Sequence, residues 1–180
     1  VSHNNKEIGE IVVKGDIVTQ GYWKRPEETA ANIKDGWLYT GDLAVVDREG
    51  YVNIVDRKKD MIITGGENVY STEVENVLYS HPAILEAAII GVPDPKWGEA
   101  VKAVVVLREG KEVTEEEIIN YCKAHIARYK APKTVDFISR LPKTGSGKIY
   151  KKGIKERYIP GAQKNGLTIS DNRDRKRNKS

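Results

Sequence analysis

A single cysteine, Cys122, stands in a chain of 180 residues, so an intrachain disulfide is excluded. Three scattered histidines leave no plausible zinc cluster, and the scarcity of thiols favours a reducing compartment. Long apolar runs are missing as well. Ala87 to Ile90 and Ala103 to Leu107 fall far short of the roughly 20 residues that a membrane helix needs. The opening Val1-Ser2-His3-Asn4-Asn5-Lys6 lacks the apolar region of a signal peptide. A soluble, cytoplasmic protein without a transmembrane segment is the expectation. Charge of one sign is also scarce: 30 Lys and Arg oppose 26 Asp and Glu, for a net charge of +4. Residues 161–180 hold six basic and two acidic side chains, which accounts for the whole surplus and leaves 24 against 24 over residues 1–160. Overall basicity therefore gives no support to nucleic-acid binding, and no specific nucleic-acid partner is expected.

What is present is enough for a modest core. With 39% hydrophobic and 31% charged residues, the chain fits one domain, or one domain plus a piece of another. A strand is expected around Ile11-Val12-Val13 within residues 8–19. Leu43 to Val46 and Tyr51 to Val55 should form a hairpin through Asp47-Arg48-Glu49-Gly50. Residues 1–56 thus read as mostly strand with little helix, and they begin in mid-pattern, as though part of a larger unit. They carry six basic and ten acidic side chains, whereas residues 57–160 carry eighteen and fourteen. The sign changes at Asp56-Arg57-Lys58-Lys59-Asp60, a run that is either a solvated loop or a domain junction.

Beyond that run the pattern alternates. Thr72 and Glu75 have the spacing of a capping box before a helix whose apolar face is Val74, Val77 and Leu78, and which stops at Ser80-His81-Pro82. Ile84 to Ile90 and Ala100 to Leu107 read as strands separated by the turn-rich residues 91–98. Thr114 to Glu117 repeats the capping signature, and Ile118, Cys122 and Ile126 should face the sheet, which makes Cys122 a core residue in preference to a nucleophile. A strand at Thr134 to Ile138 and a short helix over 150–158 complete an α+β unit in which two helices cover one face of a small sheet. The expected division is 1–58, a β-rich segment; 59–160, the small α+β domain; and 161–180, a basic tail without apolar periodicity that should be disordered.

The loop Pro142-Lys143-Thr144-Gly145-Ser146-Gly147-Lys148-Ile149 presents a lysine among glycines and small hydroxyl residues. It lacks the Walker pattern, in which Lys is followed by Ser or Thr after the full glycine spacing. Around it, residues 128–157 hold ten Lys or Arg against Asp136 and Glu156, a local positive patch that suits a polyanionic small molecule as well as RNA, or a merely solvated loop.

Several motifs occur in order: Gly21-Tyr22-Trp23 with Arg25-Pro26-Glu27, Gly36 to Asp42, Val55 to Ile62, Gly65-Gly66-Glu67-Asn68, Gly91-Val92-Pro93-Asp94 with Trp97-Gly98-Glu99, and Gly147-Lys148. Together they make residues 7–158 closely resemble the C-terminal part of acyl-CoA synthetases in the adenylate-forming, AMP-binding superfamily. The resemblance implies a two-step reaction, in which a carboxylic acid and ATP give an acyl-adenylate and pyrophosphate, and CoA then displaces AMP. It implies that Asp42 holds ribose hydroxyls, that Arg57 contacts the same nucleotide, and that Lys59 is the hinge. It implies that Lys148 approaches the carboxylate and α-phosphate during adenylation, and that the Gly65-Gly66-Glu67-Asn68 loop lines the pantetheine path afterwards. Trp97, Tyr129, Lys130 and Lys133 match positions near CoA, although Ala131 stands where one related pattern has arginine. ATP and Mg2+ would be held with a large N-terminal domain, whose Ser/Thr/Gly-rich phosphate motif and acyl pocket are not found here. No metal site is expected within this chain, and by itself it should be inactive. A fatty acid or related acid is the implied substrate class; loading of a carrier protein and a non-catalytic binding module are the alternatives.

Overall fold

The first strand, β1 (Gly9–Lys14), is shorter than the apolar pattern suggested, and it pairs antiparallel with β3 (Trp37–Val46). These assignments come from a computed structural model, which describes residues 1–158. Between the two strands lies a helix that periodicity does not announce, α1 (Pro26–Asn32). It buries no side chain, and its signals are proline in the first turn with Glu27 and Glu28 beside the helix N-terminus. The two-residue strand β2 (Ile33–Lys34) turns onto β3 through Asp35 and Gly36, both at positive φ, as a tight hairpin requires. The expected hairpin from β3 to β4 (Val52–Arg57) is present, its turn held by Asp47 Oδ1, which accepts from the Glu49 and Tyr51 N–H groups.

These strands form the sheet of one compact unit, Val1–Lys59; a second unit starts at Asp60. The second is built on a five-stranded sheet. The strands β5 (Ile62–Thr64), β6 (Glu67–Val69), β7 (Ile84–Asp94) and β8 (Gly98–Leu107) run antiparallel in the order β6-β5-β8-β7, and β9 (Thr134–Phe137) lies parallel to β8. The β7–β8 ladder continues to Asp94 and Gly98, so the turn is confined to residues 95–97 and is tighter than the eight-residue span expected. Asp94 makes this possible, since its Oδ1 accepts from both the Lys96 and Trp97 N–H groups at 2.9 Å.

Both faces of this sheet are covered, which corrects the expectation of one. Ala87, Ile89, Val101, Ala103 and Val105 point toward α2 (Ser71–Tyr79) and α3 (Glu115–His125), joining Val74, Leu78, Ile118 and Cys122. The alternate residues Ala88, Ile90, Val104 and Val106 pack with Leu141 and with Ile154 of α4 (Lys151–Lys155), which a 3-10 turn, Glu156–Tyr158, extends. Burial on two sides explains why β7 and β8 are nearly continuous apolar runs. Each fully buried Ile or Leu here contributes about 1.5–3 kcal/mol.

The two helix starts differ. At α3 the capping box is complete: Thr114 Oγ1 accepts from Glu117 N–H at 3.2 Å, and Glu117 Oε2 accepts from Thr114 N–H at 2.7 Å. At α2 the expected Thr72–Glu75 box is not the cap, because the helix begins at Ser71 after Tyr70, which makes no side-chain cap. Glu75 turns instead to the Ile89 N–H and the Lys151 ammonium, each at 2.8 Å. The basic tail, 161–180, lies outside the described residues. Among the described residues, no helix is long and apolar enough to cross a membrane.

Candidate functional site

The candidate residues form one group in each unit. In the first, register places Asp42 of β3 opposite Arg57 of β4, and Arg57 Nε donates to Asp42 Oδ1 at 2.9 Å. This contact engages one carboxylate oxygen and one of the three guanidinium nitrogens. Both residues are partly open to solvent, so a directional acceptor and a charged donor fork remain for a ligand. Gly41, at φ +75°, precedes Asp42 and is held on both sides of its backbone. Its N–H donates to Glu10 Oε1 at 3.1 Å, its carbonyl accepts from Lys58 N–H at 2.8 Å, and Lys58 Nζ reaches Glu10 Oε2 at 2.8 Å. The bond to Glu10 raises the Lys58 pKa. Glu10 and Lys58 carry no sequence signature of this clamp, because they are 48 residues apart. Lys59 follows, exposed, as the last residue of its unit.

In the second unit, Gly65 and Gly66 make the two-residue turn between β5 and β6 at φ +60° and +86°, and Glu67 and Asn68 are exposed behind them. The Trp97 ring lies against this turn. A Cβ on Gly65 would stand 2.8 Å from Trp97 Cε3, and Gly65 N–H donates to the Trp97 carbonyl at 2.9 Å. Lys96 and Lys133 place their ammonium groups 4.7 Å and 5.2 Å from the Trp97 ring centroid. Gly65, Trp97 and Lys133 are thereby brought together as a half-exposed aromatic surface with cationic flanks.

Tyr129 is exposed, but Lys130 is committed elsewhere. Its Nζ contacts both oxygens of Glu73, at 2.8 Å and 2.7 Å. Burial opposes the Lys130 charge, the Glu73 carboxylate outweighs it, and the pKa is raised. Of the two lysines, Lys133 is the one whose ammonium stays accessible beside an aromatic ring.

Lys148 sits at the exposed end of a closed loop. Pro142 accepts from Tyr150 N–H at 2.8 Å, Lys143 and Ile149 form a bridge, and around Gly147 at φ +83° the Thr144 N–H donates to the Lys148 carbonyl while the Lys148 N–H donates to Thr144 Oγ1. Among the described residues nothing engages the Lys148 ammonium, whereas the surrounding lysines are occupied. Lys143 pairs with Glu86, Lys151 with Glu75 and the Ser71 hydroxyl, and Lys155 with Glu99. The positive patch read from residues 128–157 is therefore compensated in part, since Lys130, Lys143, Lys151 and Lys155 pair with glutamates that lie 56 to 76 residues upstream. Lys148 stands out as an uncommitted cation, suited to a developing negative charge.

Cys122 is fully buried, and burial pushes its thiol up to about 11, which fits a core residue and opposes nucleophilic use. Among the described residues no group of three or more His, Cys, Asp or Glu could hold a metal ion.

The chain as a whole is similar to known proteins. Residues 73–148 match the AMP-binding enzyme C-terminal domain family. The chain is 53% identical over 152 residues to a feruloyl-CoA synthase of Amycolatopsis sp, a match covering 84% of this chain and 31% of that protein. It is 51% identical over 150 residues to a long-chain-fatty-acid–CoA ligase of Bacillus subtilis (strain 168), covering 83% of this chain and 27% of the relative. A solved structure of ATP-bound MatB from Rhodopseudomonas palustris superposes with a TM-score of 0.80 at 40% identity, covering 89% of this chain and 32% of that one. The chain thus spans less than a third of the length of these relatives.

Proposed function

We propose, for a chain that belongs to the adenylate-forming, AMP-binding enzymes, that it is the C-terminal portion of an ATP-dependent acid–CoA ligase. The observation that carries this reading is the cross-strand Asp42–Arg57 pair, a carboxylate and a guanidinium held side by side with free valences toward solvent. Asp42 accepts hydrogen bonds from the ribose hydroxyls of ATP, then of the acyl-adenylate, and Arg57 donates to the same nucleotide. The Glu10–Gly41–Lys58 clamp keeps the pair in register. Lys148 stabilises charge as the acid's carboxylate attacks the α-phosphorus and pyrophosphate departs, and this requires no proton transfer.

In the second half-reaction Lys148 withdraws by rotation at Lys59, and the Gly65–Asn68 turn lines the thiol path. The absent side chain at Gly66, where a Cβ would meet open space, lets the pantetheine arm pass against backbone, and that at Gly65 admits the Trp97 ring. Trp97 and Tyr129 offer surfaces for the CoA nucleotide, Lys133 offers a phosphate contact, and Lys130 supports Tyr129 from its pair with Glu73. Mg2+ would accompany the ATP phosphates and offset their charge. A cytoplasmic location fits the lone, reduced cysteine. The acid is a fatty acid or related carboxylate. Relatives are named for acids as unlike as ferulate, long-chain fatty acids and 2-methylpropanoate, so choice among them belongs to residues outside this chain.

The test uses two preparations. Residues 1–180 are expected to form neither AMP nor acyl-CoA from an acid, ATP and CoA, whereas the longer parent chain is expected to form both. Turnover by residues 1–180 overturns the division of labour. Thioester formation on a carrier protein but not on free CoA shifts the reading to carrier loading.

A further inference from the structure

The elements assigned above to the two half-reactions, the Gly65–Asn68 turn and the Lys148 loop, converge on one side chain with no role so far. Glu99 is the second residue of β8. Its Oε2 accepts from the Ile63 N–H of β5 at 3.0 Å, two residues before Gly65. Its Oε1 accepts from Lys155 Nζ of α4 at 2.8 Å. The pairing of β5 with β8 is recorded only at Thr64 and Gly98, so the Glu99 carboxylate stands in for a ladder partner where β5 leads into its turn.

The Lys155 side reaches the other element through short steps. The α4 helix begins at Lys151, directly after the loop closure in which Tyr150 N–H donates to Pro142, and Ile154 N–H donates back to Tyr150. A displacement of α4 therefore displaces the base of the Lys148 loop. Space for the carboxylate comes from Gly91 of β7, where a Cβ would stand 2.6 Å from Glu99 Oε1 and 2.8 Å from its Cδ.

The structure assigns Glu99 as a positioning residue for both half-reactions: one oxygen holds the strand that carries the thioester-step turn, and the other holds the helix that carries the adenylation lysine. This rests on the roles proposed above for Lys148 and the Gly65–Asn68 turn. Because each oxygen serves one element, the two functions separate by chemistry. Glutamine keeps an oxygen to accept from Ile63 N–H, but it has no charge for Lys155.

The experiment measures the two steps separately in the longer parent chain: acid-dependent ATP–pyrophosphate exchange for adenylation, and acyl-CoA formation from supplied acyl-adenylate and CoA for the second step. Displacing these elements by Glu99→Ala is expected to slow both steps by about 10- to 100-fold, while Glu99→Gln keeps the second within about threefold and stays slow in exchange. Lys155→Met should reproduce the Glu99→Gln pattern, and it keeps the test open where Glu99→Ala folds poorly. Equal losses in both steps for Glu99→Gln, loss in one step alone for Glu99→Ala, or wild-type rates in both overturns the assignment. Lys148→Ala runs alongside. If exchange survives that change, the underlying reading of Lys148 fails, whereas a loss there with normal Glu99 variants condemns the Glu99 role alone.

Discussion

The two units carry their candidate groups in opposite ways. Asp42 and Arg57 sit within strands, opposite one another, with Gly41 clamped by Glu10 and Lys58. Lys148 sits on an exposed loop, its ammonium unengaged among the described residues, while the flanking lysines 143, 151 and 155 are tied down. A group that serves one ligand throughout gains from strand rigidity. A group needed in only one step gains from a tip that is stiff at its base and free at its end.

The largest expected effect tests this contrast at Lys148. In the longer parent chain, Lys148→Ala should lower acid-dependent pyrophosphate exchange by about 100- to 1,000-fold, the range for removing one preorganised electrostatic donor. Thioester formation from supplied acyl-adenylate should change far less. Equal loss in both steps would put Lys148 in the same class as the strand-borne pair.

Asp42→Ala sharpens the other side of the comparison. Removal of a charged hydrogen-bond acceptor should weaken nucleotide binding by about 10- to 100-fold, seen in the ATP KM for exchange and in the affinity for acyl-adenylate alike. Arg57→Lys should also weaken both, since a point charge does not replace the planar fork. An effect confined to one step would contradict a role for the pair throughout the reaction.

The units differ in their cores too, and stability separates them. Ile118 is fully buried where α3 packs against the sheet, whereas Ile54 of β4 is mostly open to solvent in this chain. In thermal and urea unfolding of residues 1–180, Ile118→Ala should destabilise its unit by about 2–5 kcal/mol. Ile54→Ala should stay within about 0.5 kcal/mol. Thr114→Ala, which removes the α3 cap, should fall between them at about 1 kcal/mol.

This contrast follows what the amino-acid pattern could convey. Local signals were readable: the Thr114–Glu117 box, the turn at Asp47 to Gly50, and the spacing of Ile118 and Cys122 toward the sheet. Helix α1 escaped because it buries nothing and so has no apolar period. The second covered face of the sheet escaped because Leu141 and Ile154 are separated by a polar loop and form no repeat. Candidate site residues were legible as motifs, but their surroundings were not. Glu10 with Lys58, Glu73 with Lys130 and Glu99 with Lys155 are pairs 48 to 57 residues apart, joined only by the folded sheets. For the same reason a locally basic stretch read as a patch, when four of its lysines, 130, 143, 151 and 155, are paired with distant carboxylates.

A pH-dependent effect tests whether the second unit's core is as closed as it looks, through Cys122. Its thiol moves from an ordinary 9.0 to about 11 because burial disfavours the thiolate. Above pH 9 the unfolded chain releases a proton that the folded chain retains until about pH 11, so the unfolded state gains and stability falls as pH rises across that window. Below pH 9 both states hold the proton and the contribution is fully present. The slope is at most on the order of 1 kcal/mol per pH unit. Urea unfolding of residues 1–180 and of Cys122→Ala, compared at pH 8 and pH 10, isolates it. The wild-type chain should lose more stability between the two values than Cys122→Ala does, and its thiol should react slowly with a disulfide reagent until it is unfolded. Parallel pH profiles together with fast native labelling would mean that α3 leaves the sheet often enough to expose Cys122, and that the second unit is no stiffer a platform for its loops than the first.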